Sequence, residues 1–162
     1  MFARYALGYL IGVGVFLLVI PYGLYQVAQT FSGQGFRLAV ALPLGIMGLA
    51  FALWSNVALV LQGKGGPTDL FNVAISPRTK YLVVTGPYRY TRNPMVFGAF
   101  SFYAALAIYW NSLSALAAVA LFFAFIKYYL KEFEEQRLLA DFGQEYELYR
   151  QQVPMIVPWP FR

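Results

Sequence analysis

The chain has 162 residues, of which 60% are hydrophobic and 19% aromatic while only 12% are charged, a balance foreign to an ordinary soluble domain. It carries a formal net charge of +5 and contains neither cysteine nor histidine. Disulfides, thiol nucleophiles, Cys/His metal sites and histidine bases are therefore excluded, and carboxylates, Arg, Lys, Tyr, Asn and backbone must carry any chemistry.

The N-terminal Met-Phe-Ala-Arg and the apolar run behind it imitate a secretory signal peptide. The run continues past Ile20 without a small-residue cleavage site, so a retained spanning helix is expected. Four segments meet the requirement of about 20 apolar residues for crossing a bilayer: residues 5–26, 38–62, 94–110 and 113–131. Pro21 is expected to kink the first near its far end. The second runs from Leu38 to Gln62 without a charge. Only Trp110, Asn111 and Ser112 separate the third and fourth, which must form an antiparallel hairpin, with Tyr109 and Trp110 suited to an interfacial belt. The expectation is one all-α integral membrane domain, residues 1–162, with four transmembrane helices, an inner loop 63–93 and a tail 132–162.

Charge placement sets the expected orientation. With four spans, one face gathers Arg4, Lys64, Arg78, Lys80, Arg89, Arg92, Lys127, Lys131, Arg137, Arg150 and Arg162, and the other holds Arg37. Cytoplasmic loops hold the excess of Lys and Arg, so both termini are expected in the cytoplasm. All seven acidic residues, Asp69, Glu132, Glu134, Glu135, Asp141, Glu145 and Glu147, fall on that same face. Basic residues flanking apolar runs suit membrane lipids with anionic headgroups, not nucleic acid.

The inner loop opens on Gly63, Gly65, Gly66 and Pro67, tightens into Tyr81 to Val84, and turns at Thr85-Gly86-Pro87. Residues 127–150 read as a helix continuing the fourth span into water, interrupted at Gly143. Two polar clusters sit at the inner ends of the last two spans. In Gly86 to Met95, GPYRYTRNPM, Pro87 and Pro94 hold two tyrosines, two arginines and an asparagine on a restricted loop. Taken alone, such a stretch is equally an interfacial anchor. In Lys131 to Arg137, successive side chains point about 100° apart, so Glu134 and Glu135 face different directions. The plain reading there is a solvated helix end with Lys131 and Glu135 paired. The hairpin, however, returns both clusters to one depth. Arg89, Arg92 and Asn93 should then approach the two glutamates, a set that suits a zwitterionic cofactor with a carboxylate, an amine and ribose hydroxyls.

These residues resemble the membrane methyltransferases that include isoprenylcysteine carboxyl methyltransferases and phospholipid (phosphatidylethanolamine) N-methyltransferases. The family pattern is a GxY loop, R-H-P-x-Y-x-G, a Glu-Glu pair and an F-G-x-E-Y-x-x-Y tail. Here the matching stretches are LVVTGPYRYTRNPMVFG from Leu82 to Gly98, then Glu134-Glu135, and DFGQEYELYRQQVP from Asp141 to Pro154. The resemblance implies S-adenosyl-L-methionine as cofactor, bound on the cytoplasmic side by Tyr81, Leu82, Val83, Tyr88, Asn93, Pro94, Met95, Val96 and Glu134. Asn93 stands where many members have histidine and Val96 where they have tyrosine. Asparagine retains hydrogen-bonding capacity and valine does not.

The activity so implied is methyl transfer to a lipidic or hydrophobic acceptor, such as an isoprenylcysteine carboxylate or a phospholipid amine. Arg92 is expected to orient an anionic acceptor, and Glu135 to accept a proton when the nucleophile is an amine. Two other readings compete. A sterol-reductase-like enzyme using NADPH would need more spans than 162 residues provide. A non-catalytic membrane subunit or small transporter would be favoured by intramembrane ionisable residues, which these spans almost lack.

Overall fold

A computed structural model describes residues 2–28, 37–66, 69–70, 73–74 and 77–158, with side chains outside 2–4 and 69–74. Parts of the expected inner loop (67–68, 71–72 and 75–76) and of the tail (159–162, including Arg162) lie outside the described residues, as do the side chains of Arg4 and Asp69. Six α-helices make up most of the rest: α1 (Phe2–Gly14), α2 (Ile20–Ala28), α3 (Leu38–Ala58), α4 (Pro94–Tyr109), α5 (Leu113–Tyr129) and α6 (Glu135–Gln152). Short π-helical turns at Val15–Val19, Leu59–Gly63 and Leu130–Glu134 join or extend them. Three continuous helices, Tyr5–Ala28, Leu38–Gly63 and Leu113–Gln152, are long and apolar enough to cross a membrane, and Pro94–Tyr109 is a shorter apolar one. The expected segments thus reappear as helices, the last continuing well past residue 131.

The irregularity expected at Pro21 sits one turn earlier, in the π-turn Val15–Val19. In the π register a residue at 21 would bond the carbonyl of Phe16, and proline has no N–H to give. Buried Tyr103 of α4 donates its hydroxyl to that carbonyl at 3.2 Å. A backbone group facing an apolar interior is thereby satisfied by a neighbouring helix.

The closest helix pairing is α3 on α4, made by glycine on both sides. A Cβ on Gly48 would lie 2.6 Å from the Gly98 carbonyl oxygen, and one on Gly98 would lie 2.5 Å from that of Gly48. Small residues let two backbones approach where hydrophobic burial gives no drive between helices. Helix α5 packs on α4 and α2, and Phe100, Tyr103, Val119 and Leu24 form the buried cluster between them. The α4–α5 hairpin turns as its sequence requires. Asn111 takes a left-handed φ of 51°, which asparagine tolerates, and Ser112 caps α5 by accepting the Ala115 N–H at 3.1 Å.

Two hydrogen bonds establish which helix ends lie together. Tyr5 donates to the Lys64 carbonyl at 3.0 Å, and Ser114 donates to the Val27 carbonyl at 3.0 Å. The start of α1 therefore lies beside the end of the Leu38–Gly63 helix, and the end of α2 beside the start of α5. The loop before α4 and the start of α6 share the end that holds Tyr5. On this side β1 (Asp69–Leu70) pairs antiparallel with β2 (Val73–Ala74), Leu70 opposite Val73.

Candidate active site

Three stretches of chain converge at the end of the bundle where α1 begins. The first returns along the close of the Leu38–Gly63 helix: Lys80 N–H bonds the Gly63 carbonyl at 2.7 Å and Gly66 N–H bonds the Pro77 carbonyl at 2.8 Å. Gly65 permits this, since a Cβ there would collide with the Thr79 backbone. Tyr81, Leu82 and Val83 follow directly. The second stretch is the 3-10 turn Gly86–Arg89, opened by Gly86 at a φ of +62° against the Trp54 ring and by Pro87. It runs through Tyr88 and Arg92 to Asn93, after which Pro94 opens α4. The third is the π-turn Leu130–Glu134 with the start of α6. A π-turn adds a residue to the helical turn and rotates the helix beyond it by about 100°.

These stretches enclose a partly open cavity of about 160 Å³. Tyr81, Leu82, Val83, Tyr88, Arg92, Asn93, Pro94, Met95, Val96 and Glu134 all line it. Ten of the eleven residues named from the sequence are thus brought to one space. The eleventh, Glu135, is not among the lining residues. Its carboxylate turns to Arg92, with Oε1 2.6 Å from Nη1, and to Arg150, with Oε2 3.8 Å from Nη1. The plain reading of a solvated helix end is therefore corrected: Glu134 lines the cavity, while Glu135 is buried between two guanidiniums. The alternative pairing with Lys131 gives way to these contacts for the same reason.

Arg92 is the electrostatic centre. Its side chain and that of Glu135 are each 10% exposed, and Nη1 also faces the Tyr146 hydroxyl at 3.5 Å. The Nε of Arg92 is buried without a hydrogen-bond partner among the described residues. Arg137 also lines the cavity, 4.0 Å from Glu134 and 3.6 Å from Asp141. The tyrosines around the site hold their protons. Burial, reinforced by the charge of Glu135 and opposed by Arg92, pushes the Tyr146 phenol up to about 12. Burial also raises Tyr88, with help from the Glu134 charge, and Tyr149. Near neutral pH all three are neutral hydrogen-bonding groups and none is a base. Tyr149 spends its proton on the Tyr88 carbonyl at 2.6 Å.

The sequence profile of phospholipid methyltransferases matches residues 36–145. The chain belongs to that family. No curated protein matches it in sequence. Among solved structures it is similar to a eukaryotic intramembrane Ras methyltransferase, isoprenylcysteine carboxyl methyltransferase, at 20% identity and a TM-score of 0.53. That likeness covers 97% of this chain and 50% of the other, so this family member spans about half the length of the structure it matches. The fold is shared, and with its long apolar helices the chain is an integral membrane protein.

Several cavity residues of this family member were not singled out from the sequence, Leu59, Arg78, Arg137 and Leu138 among them, and Phe142, Tyr146 and Tyr149 entered only as letters of the tail motif. Tyr146 and Tyr149 carried a readable signal, since they lie three apart on one helical face behind the break at Gly143. At Gly143 the backbone adopts φ 53°, ψ −127°, a conformation suited to glycine, and α6 bends there. Arg137 follows Glu134 by three residues and so shares its face. Leu59 and Arg78 reach the cavity only through the folding of the loop ahead of α4, which no local pattern reveals.

Proposed function

We propose that this chain is an S-adenosyl-L-methionine-dependent methyltransferase acting on a lipidic or hydrophobic acceptor at the cytoplasmic leaflet. In this reading it has four spans, the loop 63–93 and the tail 132–162 on the inner side, and both termini in the cytoplasm. The carrying observation is that ten residues matched to the family's motifs, from three separate stretches, line one cavity.

The donor set fits such a cofactor. Arg92 keeps an unused buried N–H, and with Arg137 it offers guanidinium groups to a carboxylate. Glu134 suits an ammonium or ribose hydroxyls, and Leu59, Leu82, Val83, Leu138 and Phe142 give an apolar bed for a purine. When bound, S-adenosyl-L-methionine supplies the methyl group from its sulfonium. The protein's part is to hold donor and acceptor in contact and to exclude water. Arg92, fixed by Glu135, orients an anionic acceptor group. The burial of Glu135 between two arginines favours a positioning role for it over the proton-accepting one.

Binding of labelled S-adenosyl-L-methionine to purified Arg92→Ala and Glu134→Ala chains tests the assignment. A loss of affinity of about tenfold or more in each is expected. Wild-type affinity in both would discard the site. Mass spectrometry of lipids methylated in membranes with labelled donor identifies the acceptor.

A further inference from the structure

After α6 the chain does not leave the neighbourhood of the site but bonds back to the loop ahead of α4. Val153 packs against the buried cluster of Tyr88, Tyr146 and Tyr149, and Ile156 is 3% exposed. Between them, two backbone carbonyls reach the loop ahead of α4. Pro154 accepts the Arg92 N–H at 2.9 Å. Met155 accepts the Asn93 side-chain amide at 2.9 Å and the Thr91 hydroxyl at 3.2 Å. Fully buried Thr91 in turn accepts the Asn93 N–H at 3.2 Å. Neither Thr91 nor residues 153–156 line the cavity, yet every one of these bonds ends on the segment that presents Arg92 and Asn93 to it. The strap also lies beyond residue 145, where the family match stops.

We propose that residues 153–156 form a positioning strap that, through Thr91, holds Arg92 and Asn93 in the geometry that binds the methyl donor. With its amide N–H₂ committed to Met155, Asn93 keeps its side-chain oxygen as an acceptor for the ligand. A loop held in its bound form loses less freedom on binding, so the strap acts on donor affinity and not on the transfer itself. The inference rests on the reading of the cavity as the donor site.

The experiment uses the full chain in detergent or nanodiscs, with equilibrium binding of labelled S-adenosyl-L-methionine and hydrogen–deuterium exchange over residues 88–96. Ile156→Ala should raise the donor Kd by about tenfold and speed exchange at Arg92 and Asn93, while kcat at saturating donor stays within about twofold. Thr91→Val should act in the same direction, and Thr91→Ser, which keeps the hydroxyl, should return the Kd to within about twofold of wild type. A merely structural role would lower kcat through loss of active protein and leave donor affinity unchanged. Wild-type donor affinity in both Ile156→Ala and Thr91→Val overturns the strap while leaving the cofactor reading in place. No donor binding by the unsubstituted chain overturns the cofactor reading, and exchange unchanged in the variants then overturns the strap's hold on the loop as well.

Discussion

Replacing Glu135 by glutamine removes one charge from a pair that is almost out of solvent. At the observed 2.6 Å from Arg92, and with an effective dielectric of about 20, the gross attraction is about 6 kcal/mol. Much of this offsets the desolvation of both groups, so the pair itself adds little net stability. Losing one partner is different, because the desolvation of the other is no longer compensated; such changes cost about 3 to 5 kcal/mol. The lower end applies here, since the amide oxygen still turns a partial negative charge toward Arg92, and Tyr146 remains within 3.5 Å of Arg92. Glu135→Gln is therefore expected to destabilise the chain by about 3 kcal/mol and to weaken donor binding as Arg92 turns away. Chemical denaturation in detergent measures the first effect and equilibrium binding the second. Glu134→Gln is the control: its side chain is 35% exposed at the cavity wall, so donor affinity should fall with little change in stability. If Glu135→Gln matches wild type in both measurements, the ion pair does not organise the site and the reasoning fails.

Other expectations rest on single features of the fold. Gly98→Val places a Cβ 2.5 Å from the Gly48 carbonyl oxygen and 2.7 Å from the Ala52 nitrogen; it should abolish recovery of folded protein on size-exclusion chromatography, whereas Gly23→Ala, with nothing within 4 Å, should be recovered like wild type. Gly143→Ala forces an L side chain into φ 53°, ψ −127° and should cost about 1 to 3 kcal/mol in denaturation, with weaker donor binding as Tyr146 and Tyr149 shift. Tyr146 has a folded pKa of about 12 against an ordinary 10.0, so its contribution to stability is complete below pH 10 and is lost as pH rises toward 12. Tyr146→Phe should make the thermal midpoint fall less steeply across that alkaline window, and an unchanged slope would refute the assignment.

The apolar helices and the hairpin were legible because their causes are local. An apolar run long enough for a bilayer, a three-residue connection and a proline at a helix start each act through neighbouring residues. Much of the cavity lining was legible as well, through motif-bearing residues in GPYRYTRNPM and Glu134. The different directions of Glu134 and Glu135 come from helical periodicity alone, but not the partners each would meet.

Those partners depended on contacts between residues distant in the chain. Glu135 is buried because Arg92 and Arg150 arrive from two other turns of structure, 43 and 15 residues away along the sequence. Leu59 and Arg78 enter the cavity because Gly65 lets the loop after it lie against the end of the Leu38–Gly63 helix, and Pro154 and Met155 reach Arg92 and Asn93 because α6 bends at Gly143. The displaced irregularity of the first helix has the same origin: the proline removes an N–H, but it takes Tyr103 on another helix to supply the missing donor. Residue order determined where helices form and which chemistry is present; three-dimensional packing decided which charges meet, because burial and partner geometry exist only once distant segments are in contact.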